Sequence, residues 1–183
     1  MAQLWQLYDE NGKPIPGKGA GKDEVYKGLL HAASHVWVWR RLNTGAEVLV
    51  QKRSANNTKW PNKYDISAAG HIDLGESPVE AAIRETKEEI GLEVTESKLK
   101  EIFTLKFHKE ANNGIIENEF QWVYLLEIGE DKDFIIQDSV LDSILWMSLD
   151  DLRNEALSKE TNFVPHGKEY FDKVISTITT QLG

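Results

Sequence analysis

The sequence predicts an α+β fold, an α/β/α sandwich around a mixed β-sheet. Three observations carry that prediction. Two pairs of apolar, alternating segments are each separated by turn residues, a doubly capped helix lies between the pairs, and two further helical stretches close the chain. The 183 residues suit a single domain, 1–183, with residues 1–30 as an N-terminal strand and hairpin extension and 31–183 as the core.

The elements follow in order. "LWQLYDENGKPIPG" reads as a short strand and a turn at Asp9 to Gly12. "GKGAGKDE" is glycine-rich and reads as a linker or mobile loop. It is no phosphate loop, because Lys22 is followed by Asp23 where that motif needs Ser or Thr. "HVWVWRR" and "EVLVQKRS" flank "LNTGA" as a hairpin, and "NNTKWPNKYD" is a loop leading to a short strand, "ISAAGHI". "EIFTLKFHKE" and "NEFQWVYLLEI", joined by "ANNGII", form a second hairpin. "ILWMSLDDLRNEALS" passes from strand to helix at Ser148, a side chain able to cap it. "GKEYFDKVISTITTQL" is an amphipathic helix, with Tyr170, Val174, Ile175 and Ile178 at helical spacing.

Composition narrows the chemistry. The absence of cysteine excludes a disulfide scaffold, a thiolate metal site and a cysteine nucleophile. The formal charge of −9 disfavours binding a nucleic acid polymer, and an acidic enzyme acting on phosphates needs local cations. The N-terminus has no secretory pattern and no apolar run has membrane-spanning length, so the expectation is a cytoplasmic protein without membrane contact.

The segment "GHIDLGESPVEAAIRETKEEIGL" contains five glutamates. Ser77, Pro78 and Glu80 form a helix start and capping box, and Gly91 ends the helix, which spans about 78–90. Val79, Ala82, Ile83, Thr86 and Ile90 gather on a buried stripe. Glu85, Glu88 and Glu89, at spacings of three and four, converge on one patch whose mutual repulsion divalent cations would relieve. A solvated acidic face, offset by Arg84 and Lys87, is the bland alternative for the helix taken alone. Glu76 lies just before the N-cap, where Arg84 can hold it as a bidentate partner.

The fixed places Gly70, Glu76, Arg84, Glu85, Glu88, Glu89, Gly91 and Leu92 resemble the Nudix box with its full spacing; Thr86 alone departs, where an aliphatic residue is usual. The resemblance implies the Nudix fold and Mg²⁺- or Mn²⁺-dependent hydrolysis of a diphosphate joined to another moiety, such as a nucleoside, prenyl or thiamine-type group. It implies Glu85, Glu88 and Glu89 as metal ligands, with a carbonyl near Gly70, and Glu76 and Arg84 as a structural pair. Glu88 and Glu119 are the implied catalytic carboxylates, with Glu117 the other candidate base. Lys52 and Arg53 are candidates for phosphate binding, with Lys59 and Lys63 behind them, although each also reads as an ordinary surface charge. Trp60, Tyr64 and Trp122 suit either a stacking role or the core. An N-terminal strand of this kind also allows a homodimer.

"LLHAASHVWVW", "VLVQKRS", "WPNKYDISAAGHIDLGES" and "ENEF" are similar to the isopentenyl-diphosphate isomerase-like branch of that family. By that alignment His31 and His71 match metal-ligand histidines, and Glu117 and Glu119 match acidic site residues. Ala69 stands at the place of the isomerases' cysteine, which points to a hydrolase on an isomerase-like scaffold. Isomerization and a non-catalytic ligand-sensing role are the alternatives.

Overall fold

The computed structural model describes residues 3–57, 59–110, 114–129, 132–136 and 141–183. The elements run β1 (Trp5–Tyr8), β2 (Pro14–Ala20), α1 (Lys22–Val25), β3 (His31–Leu42), β4 (Gly45–Arg53), β5 (Tyr64–Asp65), β6 (Ala68–His71) and α2 (Pro78–Ile90). After a 3-10 turn at Glu96–Lys98 follow β7 (Leu99–Glu110), β8 (Ile116–Ile128), β9 (Leu141–Ser148), α3 (Leu149–Ala156) and α4 (Lys168–Leu182).

Strand β3 is buried from His31 through Trp39, on both sides of its alternation, and this places it at the centre of a covered sheet. The order is β5-β4-β3-β8-β7, with β6 also pairing β3 and β9 pairing β4; β3 and β8 run parallel and the other pairs antiparallel, so the sheet is mixed. Alternate residues of β3 serve opposite layers. Val36 and Val38 join Ala82 and Ile90 of α2 in one core, while Trp37 and Trp39 join Leu152 of α3 and Val174 and Ile178 of α4 in another. The predicted sandwich and both predicted hairpins are present, although residues 111–113 of the "ANNGII" connection lie outside the described residues.

"GKGAGKDE" is not a linker. Gly17 to Ala20 belong to β2, paired with β1 through Trp5 to Ala20 and Gln6 to Gly19, and Lys22 begins α1. Gly19 serves close approach: a Cβ there would sit 3.2 Å from both the Leu4 Cβ and the Trp5 carbonyl oxygen. The buried Gln6 amide donates to the carbonyls of Ile15 and Lys18, fixing the strand from within. This hairpin is tied to the core by backbone bonds from Gln6 to Ile72 and from Leu74 to Leu4.

Helix α2 carries its predicted capping box and its left-handed Gly91. Its buried side differs from the predicted stripe. Ala81 and Glu89 are buried while Ile83 is half-buried, and Thr86 satisfies its hydroxyl on the Ala82 carbonyl at 2.7 Å. Helices α3 and α4 roof only part of the opposite face. Beyond that roof the same face of β3 and β8 changes from Trp37 and Val123 to His35, Gln121, His31 and Glu119, and it becomes a floor.

Candidate active site

His35, Gln121 and Glu119 of that floor line a cavity of about 230 Å³, with His31 buried beside Glu119. Parallel pairing sets His31 beside Glu119 and Ala33 beside Gln121. Antiparallel pairing sets His71 beside Ala33 and Ala69 beside His35. Three strands therefore deliver one imidazole each, or a carboxylate, to the same place. The ligand-type atoms of His31, His71 and Glu119 lie within 4.8 Å of one another.

The hydrogen-bond pattern of His31 is informative. Its Nδ1 lies 3.0 Å from the Leu29 carbonyl, which can only accept, so Nδ1 carries a proton. Its Nε2 is buried, finds no hydrogen-bond partner among the described residues, and faces the Glu119 Oε2 at 3.3 Å. In the neutral ring, two lone pairs then face each other, an arrangement a cation between them would satisfy. A carbonyl on the far nitrogen is also the usual support for a metal-bound imidazole. His71 Nε2 lies 4.0 Å from the same oxygen. Burial pushes the His71 imidazole down to about 3, against the pull of Glu119, leaving it neutral and able to ligate. Burial alone would raise the Glu119 carboxyl, but His31 and His71 outweigh it and hold the group well below the usual carboxylate range. The Trp5 ring lies flat on His71, centroids 3.6 Å apart and planes 7° apart, so the N-terminal hairpin fixes that imidazole. Two imidazoles and one carboxylate suit a transition-metal ion; Mg²⁺ prefers oxygen ligands.

The box residues occupy the adjacent loop and helix. Arg84 grips both oxygens of Glu76 at 2.9 Å, donates to the His71 carbonyl at 3.0 Å, and reaches Glu85 at 2.6 Å and Glu88 at 3.2 Å. Glu89 turns under β6, accepting from the Ala69 N–H at 2.9 Å. Among the described residues the three box carboxylates do not meet at one point as the His31 group does. Gly70 is explained by close approach, because a Cβ there would lie 1.9 Å from Glu85 Oε1. Burial pushes the Glu85 carboxyl up, in spite of Arg84.

Arg53, Lys59, His71, Glu117 and Glu119 line the cavity; Lys52 does not. Glu117 is paired with Lys59 at 2.5 Å, and the Lys59 ammonium sits 3.7 Å from the Tyr26 ring centroid. Lys63 instead donates to the Thr161 carbonyl. Of the three aromatics, Trp60 lines the cavity, whereas Tyr64 and Trp122 pack against the core clusters.

Sequence reading missed the far wall. Asp65 accepts from His166 Nε2 at 2.9 Å and from Arg53 at 2.9 Å, and its carboxyl sits at about 2 because His166 and Arg53 overcome burial. His35 stands next to them, its Nδ1 3.0 Å from the Tyr170 hydroxyl, and burial pushes it down to about 4. The 31, 33, 35 alternation of β3 could have revealed His35. Asp65 and His166 are 101 residues apart and left no local signal.

The NUDIX domain family pattern matches residues 31–171. The chain is 31% identical to Nudix hydrolase 3 of Arabidopsis thaliana over 155 residues, which cover 82% of this chain and 20% of that longer protein. It is 31% identical to an isopentenyl-diphosphate Delta-isomerase of Citrobacter koseri over 146 residues, covering 76% of this chain and 78% of that one. Among solved structures, DR0079 from Deinococcus radiodurans shares the fold, with a TM-score of 0.68, 16% identity and coverage of 96% of this chain and 98% of the other. No helix among the described residues is long and apolar enough to cross a membrane.

Proposed function

The chain belongs to the NUDIX domain family, whose hydrolases act on diphosphate bonds, and we propose that it is a divalent-metal-dependent hydrolase of a small organic diphosphate. The observation that carries this reading is the meeting of His31 Nε2 and Glu119 Oε2, 3.3 Å apart, at the base of a cavity whose walls bear Arg53, Lys59 and His166. A cation at the base and the side chains of Arg53 and Lys59 above suit two linked phosphoryl groups, which carry their charge on several oxygens.

His31, His71 and Glu119 would hold one ion, for which Mn²⁺ fits better than Mg²⁺. Glu85, Glu88 and Glu89, with a carbonyl near Gly70, are our candidates for an oxygen-preferring second ion, Mg²⁺ or Mn²⁺. Ions held there would supply charge neutralization for the diphosphate and a more acidic water. Arg53 would receive a phosphoryl oxygen while Asp65 and the Lys59 carbonyl hold its guanidinium in place. The cavity is smaller than a typical site for a drug-sized ligand, roughly 300 Å³ upward, so it fits the diphosphate and leaves the organic group to extend past Trp60.

The likeness to an isomerase gives a second reading. Against it, Ala69 presents only a methyl group to the cavity, and the chain has no cysteine to shuttle a proton.

The test is turnover of a panel of nucleoside, prenyl and thiamine diphosphates with Mg²⁺ and with Mn²⁺, using Glu119→Gln and Glu89→Gln as controls. Release of a monophosphate or inorganic phosphate that falls in both variants supports the reading. Undiminished turnover in the variants defeats the ligand assignments, and double-bond migration seen by proton NMR favours the isomerase.

A further inference from the structure

The carboxylates lining the cavity are all committed. Glu119 faces two histidines, Glu117 is locked to Lys59, and both oxygens of Asp65 are in use. His35 spends Nδ1 on Tyr170. His166 differs. Its Nε2 is held by Asp65, and among the described residues its Nδ1 has no hydrogen-bond partner.

We propose that His166, oriented by Asp65, is the general base of the reaction, its Nδ1 taking a proton from the water that attacks phosphorus. The proposal rests on the diphosphate-hydrolase reading above. The water oxygen forms a bond to phosphorus; the bridging P–O bond breaks, and its electron pair leaves with the departing oxygen. The water's proton passes to Nδ1, giving an imidazolium that faces the Asp65 carboxylate and later returns the proton to solvent or to the departing phosphate.

Three features support this role. The pairing Asp65–His166 fixes the tautomer: with Nε2–H directed at a carboxylate that is ionized, a neutral ring must present a bare Nδ1. The placement is rigid, because Tyr64, beside Asp65, donates its N–H to the Asn162 carbonyl and accepts from the Val164 N–H along a parallel bridge. The location is also suitable, because His166 lines the same cavity as His71 and Glu119. His71 lies beside Ala33, and His166 packs on His35 with ring centroids 5.3 Å apart. Along β3, His35 lies two residues, roughly 7 Å, from Ala33 beside His71, and four residues from His31 beside Glu119.

The charged and titratable groups around His166 come from four elements: Asp65 of β5, Arg53 of β4 behind it, His35 of β3 and Tyr170 of α4. Burial keeps His35 and Tyr170 neutral, so Asp65 is the anion that would stabilize an imidazolium.

The test compares the full chain with its His166→Gln and Asp65→Asn variants. His166→Gln is expected to lower kcat at least about 100-fold, with KM changed less than a few-fold, and to remove the acid limb of the pH–rate profile. Asp65→Asn, a change at a positioning residue, is expected to lower kcat and move that limb to lower pH. An unchanged acid limb and kcat in His166→Gln overturn the proposal. A second measurement is independent of turnover and of the variants' folding. Long-range ¹H–¹⁵N NMR of the wild-type chain reports the His166 tautomer, with and without methylenediphosphonate. A bare Nδ1 that responds to this probe supports the role; a protonated Nδ1 or an unresponsive ring overturns it. If no diphosphate is turned over, the hydrolase reading fails on that result, while the tautomer still judges His166.

Discussion

Replacing Arg84 by Met keeps an apolar stem on α2 and removes the guanidinium that joins the helix to the preceding loop and to β6. Glu76 and Glu85 would then remain largely buried, with side-chain exposures of 15% and 13%, but without their cation. Glu88, at 57% exposure, would lose little. Breaking a buried ion pair from one side costs about 3–5 kcal/mol; because Arg84 is itself partly exposed, we expect the lower part of that range, about 3–4 kcal/mol. For a chain of this size that corresponds to a fall in Tm of roughly 6–16 °C. Urea unfolding followed by tryptophan fluorescence would measure it. Adding Glu76→Gln and Glu85→Gln to Arg84→Met should recover at least about 1 kcal/mol, since the stranded charges are gone. A loss below about 1 kcal/mol, or a triple variant no more stable than the single one, would refute this account of the loop–helix clamp.

Other outcomes follow from the same contacts. His31→Asn should weaken Mn²⁺ binding at least about tenfold by calorimetry, because it removes a buried lone pair aimed at Glu119. Gly70→Ala should cost about 1–3 kcal/mol in thermal unfolding and displace Glu85, whose carboxylate occupies the space the new methyl group needs. The pH dependence of stability has a definite sign. The folded His35 pKa of about 4 lies below the unfolded value near 6.5, so this contribution is complete above pH 6.5 and is lost as pH falls from 6.5 to 4. The loss is about 3 kcal/mol, and His35→Gln should flatten that part of the curve. Asp65 adds a separate loss as pH falls from its unfolded value near 3.9 toward 2.

Local chemistry was legible in the sequence. The capping box of Ser77 and Glu80, the Gly91 stop and the Glu76–Arg84 pair were all readable, because each depends on spacings of at most eight residues. Strand alternation revealed the two hairpins for the same reason. The floor of the cavity was partly legible, since the resemblance picked out His31, His71 and Glu119, but their meeting depends on the registers of β3, β6 and β8. Glu89 was read as part of an open acidic patch; helical spacing could not show that β6 would cover it and offer the Ala69 N–H. "GKGAGKDE" was misread because glycine looks like flexibility until a partner strand requires close approach. The Asp65–His166 pair comes from docking the loop before α4 onto β5, a tertiary event without a periodic signature.

Hydrolysis in H₂¹⁸O, with products analysed by mass spectrometry and ³¹P NMR, tests the central claim most directly. For the diphosphate that the panel shows to be turned over in the presence of Mn²⁺ or Mg²⁺, metal-dependent attack of water at phosphorus places one ¹⁸O in a phosphoryl product. Label in the organic alcohol instead, or a rearranged diphosphate without label, would contradict it.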